Sequence, residues 1–171
     1  MSLVTPTEVL GHWNKLIEGL QQSSDEFYRE AEKNIREHQL KDVSTERVNL
    51  SEGGLFSANR EYLQIRRKEH VYHVCAAPYG TGFFVSSWLG EKESGLWAWL
   101  CGLRYIGWLF TLIRSFTKPL TYYRIDNALA FHAAMHSAVT RALDTVLEAR
   151  SMKPLTEADR KPILRDLFER F

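Results

Sequence analysis

The sequence predicts an α+β domain with N-terminal helices, an antiparallel meander of three to four strands, an apolar segment, and two C-terminal helices. Three observations predict it. Apolar residues recur at helical spacing before about residue 36 and again after residue 121. Between about residues 47 and 89 they alternate with polar neighbours, and short turn signals separate the runs. The length of 171 residues, with 44% hydrophobic content, suits one domain spanning residues 1–171.

Each element has its own argument. Pro6 opens a predicted first helix, in which Val9, Trp13, Leu16, Ile17 and Leu20 fall at helical spacing. Ser23 or Ser24 is the N-cap of a second helix, with Asp25 and Glu26 in its first turn where the helix dipole favours anions. Phe27, Ala31 and Ile35 continue that helix at i, i+4, i+8. Val48 and Leu50 then alternate up to the turn signal Gly53-Gly54. Strands follow over 61–67, 70–77 and 83–89, joined at Lys68-Glu69 and around Gly80-Thr81-Gly82. Connections this short demand antiparallel neighbours. A long helix is expected from about Tyr122 to Arg150. Thr156-Glu157-Ala158-Asp159 has the pattern of a capping box and predicts a last helix to about Phe168, with Pro162 inside it as a source of bending.

Charge and cysteine usage exclude some functions. Lys plus Arg number 22 against 21 for Asp plus Glu, so the basic excess that an electrostatic nucleic-acid binder carries is missing. Two cysteines, Cys75 and Cys101, are too few for a disulfide framework. The first residues have neither the basic stretch nor the apolar core of a signal peptide, so a reducing cytoplasm is the expected location. No cofactor is expected.

Residues 96–113 are the least ordinary stretch. They carry a single charge, Arg104, together with Trp97, Trp99, Tyr105 and Trp108. The length touches the lower limit for a membrane span, but a central arginine costs about 2.5–3.5 kcal/mol in the bilayer. A buried or partner-covered apolar segment fits better. Aromatic enrichment also suits an interface, with Trp97, Trp99, Arg104 and Trp108 as the partner-binding candidates. Contact with a membrane surface is the other role this segment suits.

Cys101 lies within that stretch. A thiol becomes a nucleophile when its pKa is lowered or a base stands beside it. Cys75 alternates with Val71 and His73 within a strand and reads as a sheet-face or core cysteine. His132 and His136 stand at i, i+4 and share one face of the long helix. That spacing can chelate a metal, but His-Ala-Ala-Met-His lacks the glutamate of a zinc-protease helix, and no third ligand is near in sequence. No metal site is therefore expected, and a base beside a nucleophile or a core role fits the pair better. The glycines of Gly80-Thr81-Gly82 precede a strand, not a helix, so they make a hairpin turn and not a phosphate cradle.

The order of a helix, a meander from about Arg47 to Leu89, Cys101 in the stretch after the last strand, and helices from Tyr122 onward resembles that of ubiquitin-conjugating enzymes. The His-Pro-Asn motif and the proline-rich connection of that family are absent, so the resemblance points to a divergent, bacterial relative. It implies acyl transfer. Cys101 would accept a ubiquitin-like modifier as a thioester from its activating enzyme, and a target amine would then attack. His132, His136 or Asn127 would be the groups available to assist. The alternative is a non-catalytic interaction module that docks a protein partner or a membrane surface through residues 96–113.

Overall fold

In the computed structural model the described residues are 8–51, 59–91 and 121–164. They form an antiparallel sheet of six strands and two helices. The elements are β1 (Glu8–Glu18), α1 (Ser24–Glu37), β2 (Ser44–Ser51), β3 (Asn59–Arg67), β4 (His70–Tyr79), β5 (Gly82–Glu91), α2 (Tyr122–Ala149) and β6 (Ile163–Leu164). Their order in the sheet is β2-β3-β4-β5-β1-β6. The predicted meander is thus four-stranded, β2 to β5, and β1 is added to its β5 side.

The predicted N-terminal helix is a strand. Trp13 and Ile17 stand four residues apart, a spacing that lies on one face in either period, so they could not discriminate. What decides is pairing: β1 lies antiparallel to β5 from Glu8↔Glu91 to Glu18↔Gly82. Leu16 and Ile17, neighbours on a helix face, point to opposite sides of the sheet, and Leu16 stays exposed. Gly11, a poor helix residue, is where β6 comes closest: a Cβ there would stand 2.8 Å from Leu164 Cδ2.

The second predicted helix is α1. Ser23 is its N-cap, in extended conformation, and Asp25 and Glu26 occupy its first turn. Both helices pack on the same face of the sheet. Phe27 meets Phe83 edge-on and Phe131 meets Tyr72, and Leu63, Ile65, Val74, Val85, Met135, Val139 and Leu143 complete the core between the layers. Full burial of each such side chain contributes about 1.5–3 kcal/mol. Tyr28 fixes α1 over the sheet, since its hydroxyl donates to Glu61 O at 2.8 Å and accepts from Ala76 N at 2.9 Å. Arg47 on β2 covers the Tyr28 ring and pairs with Asp25 and Glu32.

The long helix runs as predicted, ending one residue earlier, with Thr121 as N-cap and Arg150 as C-cap. The last predicted helix does not form within the described residues. Thr156 and Asp159 do exchange capping-box hydrogen bonds, Asp159 N to Thr156 Oγ1 at 3.2 Å and Thr156 N to Asp159 Oδ2 at 3.2 Å. They close an isolated turn. Pro162 lacks an amide hydrogen and biases Lys161 away from helical angles, and the chain leaves the turn as β6, paired to Gly11 and His12.

Candidate functional site

The i, i+4 histidines of α2 turn toward the sheet. His132 is buried and stacks on His136, with ring centroids 5.7 Å apart and planes 11° off parallel. Tyr72 of β4 meets His132 edge-on at 5.7 Å, and Trp13 of β1 meets His136 edge-on at 5.4 Å. His70 completes the group beside Phe131. The pattern showed that the two histidines share a face, but not what that face meets. Tyr72 and Trp13 reach them only through the crossing of α2 over β4 and β1. The alternation in β4, which separates Tyr72 from His73, was the one signal available.

A strap, residues 150–162, closes this cluster from outside. Trp13 Nε1 donates to Asp159 O at 2.6 Å, and His136 Nε2 donates to Arg160 O at 2.6 Å. Two ion pairs anchor it, Lys15–Asp159 at 2.5 Å and Arg160–Asp144 at 2.6 Å, and Asp144 also accepts from Leu155 N. Lys15 and the Thr156 groups hold the Asp159 carboxyl down at about 2. Burial lowers the His132 pKa to about 4, with His136 as a second cause, and burial likewise lowers His136. Among the described residues, His132 Nε2 and His136 Nδ1 are buried without a hydrogen-bond partner. Neutral imidazoles that receive no proton at physiological pH can act as acceptors or as packing groups. Among the described residues no group of three or more His, Cys, Asp or Glu side chains gathers in metal-ligating geometry. Asn127, the other assisting candidate, is half-buried in the second turn of α2 and donates to Tyr123 O at 2.7 Å.

The opposite face of the sheet carries a second row. Val71, His73 and Cys75 alternate onto it, as the sequence pattern predicts. Gln64 Nε2 donates to His73 Nε2 at 2.6 Å, and Arg66 Nε donates to Gln64 Oε1 at 2.5 Å. Burial first, and the Arg66 charge second, lower His73 to about 4. The Cys75 thiol is raised by burial, against the opposing pull of Arg60 and Tyr62. A thiol so placed is a small apolar group, not a ready nucleophile.

Cys101, Trp97, Trp99, Arg104 and Trp108 lie outside the described residues, in residues 92–120. The ends of that connection are described. β5 ends at Glu91, and Arg124, in the first turn of α2, reaches Glu91 Oε1 at 3.3 Å and Glu69 Oε1 at 3.5 Å. The exit and the return of the connection are therefore held together at one end of a packed scaffold.

No family model, no curated protein and no solved structure matches this chain. No described helix is long and apolar enough to cross a membrane.

Proposed function

We propose that this domain is an interaction module whose long connection between β5 and α2 docks a protein partner. The observation that carries the reading is the way residues 92–120 are mounted. The last residue of β5 before them, Glu91, is ion-paired with Arg124 in the first turn of α2 after them, so the two ends of the connection are held together. Binding residues are disproportionately carried on connections positioned by a rigid scaffold of this kind. The segment so mounted holds three tryptophans, a tyrosine and one arginine, the residue types enriched where interfaces are buried.

The test uses a photo-crosslinking amino acid at position 97 or 99 in cells. A discrete cross-linked product that persists in Cys101→Ala and disappears in the combined variant Trp97→Ser, Trp99→Ser, Trp108→Ser is the expected result. Co-sedimentation with liposomes, lost in the same triple variant, would overturn the protein-partner reading in favour of a membrane surface.

A second reading retains Cys101 as a thioester carrier for a ubiquitin-like modifier, with Trp97, Trp99, Arg104 and Trp108 receiving the modifier or its activating enzyme. It is supported by the succession of α1, the four-stranded meander, a connection carrying Cys101 and then α2, the order that a ubiquitin-conjugating layout has. β1, ahead of that helix, is additional to the layout. In this reading His132 and His136 lie across the core of the domain as neutral groups that could assist only if the connection reaches them. The deciding measurement is a reductant-sensitive adduct after mixing with an activated modifier. Loss of the adduct in Cys101→Ala supports the reading, and absence of any adduct rejects it.

A further inference from the structure

The seam between β1, α2 and β6 buries two stacked imidazoles with unused nitrogens. His132 is 4% exposed, and among the described residues its Nε2 has no hydrogen-bond partner. That nitrogen and the Leu164 side chain close over the same spot, the space that a side chain at Gly11 would fill. His136 Nε2 is taken up by Arg160 O, so a second proton on that ring goes to Nδ1, which has no acceptor among the described residues. The groups facing the pair decide what such a proton meets. From β4 comes Tyr72, whose hydroxyl donates to Ser87 Oγ, with His70 beyond Phe131. From β1 come the Trp13 ring and Lys15, from the strap Asp159 and Arg160, and from α2 the other imidazole and Asp144. The two carboxylates of this set already hold Lys15 and Arg160. A protonated ring is left beside a second imidazole and near the Arg160 guanidinium, in a site where burial already penalises charge.

What covers the pair is lightly packed. Within the strap and β6 one apolar side chain, Leu155, is buried and Met152 is half-buried, whereas Ile163 and Leu164 are 63% and 46% exposed. β6 pairs with β1 at two positions, Gly11 and His12. The rest of the described hold is polar: Trp13 Nε1 on Asp159 O, His136 Nε2 on Arg160 O, Leu155 N on Asp144, and the Lys15–Asp159 and Arg160–Asp144 pairs. α1, α2 and the sheet instead share the main apolar core. Segments with few buried apolar contacts open at a lower free-energy cost than the core they lie on.

We propose that residues 150–164 form an acid-released latch: protonation of the His132–His136 pair lifts the strap and β6 off β1 and α2 while the core beneath stays folded. Lifting them brings both rings to water and uncovers Trp13, His132 and His136 as one aromatic surface. The open form binds protons as free imidazoles do and the closed form resists them, so acid draws the equilibrium toward the open form. With His132 at about 4 when closed and about 6.5 when open, the opening constant rises about thirtyfold between pH 7.5 and pH 5 from this ring alone. His136 is lowered by the same burial and adds in the same direction. Asp159, held at about 2, keeps its charge throughout that window, so loss of the Lys15 pair is not the trigger. The latch uses no residue of the β5–α2 connection and works alike under either reading of it.

Residue-resolved amide exchange on the full chain, corrected for the intrinsic pH dependence of exchange, tests it. The Leu155 amide reports the latch because it is bonded to Asp144 across the seam. Between pH 7.5 and pH 5 its protection should fall at least about tenfold, while amides of α1 and β4 stay at least about tenfold better protected than it is. His132→Phe combined with His136→Gln, whose amide offers a donor in place of Nε2, should hold the Leu155 protection at pH 5 within about threefold of its pH 7.5 value. If the double variant fails to fold, His132→Phe alone decides, by cutting the acid loss at least about tenfold. Unchanged Leu155 protection in the parent at pH 5, an acid loss that the variants keep in full, or a latch that opens only together with α1 and β4 overturns the proposal.

Discussion

At the scale of single residues, the seam between β1, α2 and β6 depends on one missing side chain. Gly11 lets Leu164 and His132 close over the strand, with His132 Nε2 3.5 Å from where a Cβ would stand. Gly11→Ala would place that Cβ 2.8 Å from Leu164 Cδ2. Leu164 is the end of a two-residue strand, so it should yield before the core does. Overpacking of this kind costs about 1–3 kcal/mol. The expected outcome is a modest loss in denaturant midpoint with selectively faster amide exchange at Gly11 and His12. Unchanged exchange there would show that β6 is held by something other than this close approach. Gly82 is the harsher case, because its Cβ would stand 2.6 Å from Ile17 O, a backbone atom that cannot swing away. Gly82→Ala should therefore lower stability more than Gly11→Ala, and thermal melts of the two variants compare them directly.

At the scale of elements, the strap 150–162 shows how local signals mislead when tertiary pairing wins. Its Thr156–Asp159 hydrogen bonds are those of a helix start, yet the chain spends them on a turn. The strap is anchored instead by Asp144 of α2, which takes Leu155 N at 3.0 Å and Arg160 at 2.6 Å. Asp144→Ala strands the Leu155 amide and removes the ion pair of a partly buried guanidinium, which keeps its 3.2 Å hydrogen bond to Leu155 O. The expected cost is about 1–3 kcal/mol. It should appear as faster exchange and faster proteolysis of residues 150–162, with α1 unaffected. Elements whose signals are local were legible: α1 by its cap and acidic first turn, α2 by its length, and β3, β4 and β5 by alternation with tight turns. β1 was not, because its Trp13 and Ile17 fit both periods and only β5 decides between them. The candidate site divides in the same way. The shared face of His132 and His136 and the shared face of Val71, His73 and Cys75 follow from periodicity alone. Tyr72 over His132, Trp13 over His136 and Gln64 on His73 join residues far apart or across strands, which spacing cannot supply.

At the scale of the whole molecule, four histidines on the two faces of the sheet share one electrostatic condition. His70, His73, His132 and His136 all have pKa values lowered from 6.5, chiefly because burial penalises the charged ring, with His73 and His132 at about 4. The unfolded chain binds protons at these rings below about pH 6.5, while the folded chain does not until about pH 4 for the two lowest. Stability is therefore complete above about pH 6.5 and is lost as the pH falls through that window. For a ring shifted as far as His132 the loss approaches about 3 kcal/mol as an upper bound. Asp25 and Asp159 are lowered too, so their contribution survives to more acid pH and disappears below the histidine window. Desolvation, not pairing, is the leading cause for the histidines, so added salt should leave the slope nearly unchanged, whereas a surface ion-pair origin would be screened. His132→Phe separates the histidine contribution from a general acid effect. The substitution removes an imidazole whose Nε2 has no partner among the described residues, so at pH 7.5 its stability should lie within about 1 kcal/mol of the parent. At pH 5 the variant should be the more stable of the two, because it no longer carries a group that only the unfolded chain protonates. Urea melts at the two pH values decide the point: parallel pH dependence in parent and variant would mean that the His132 ring already holds its proton in the folded domain.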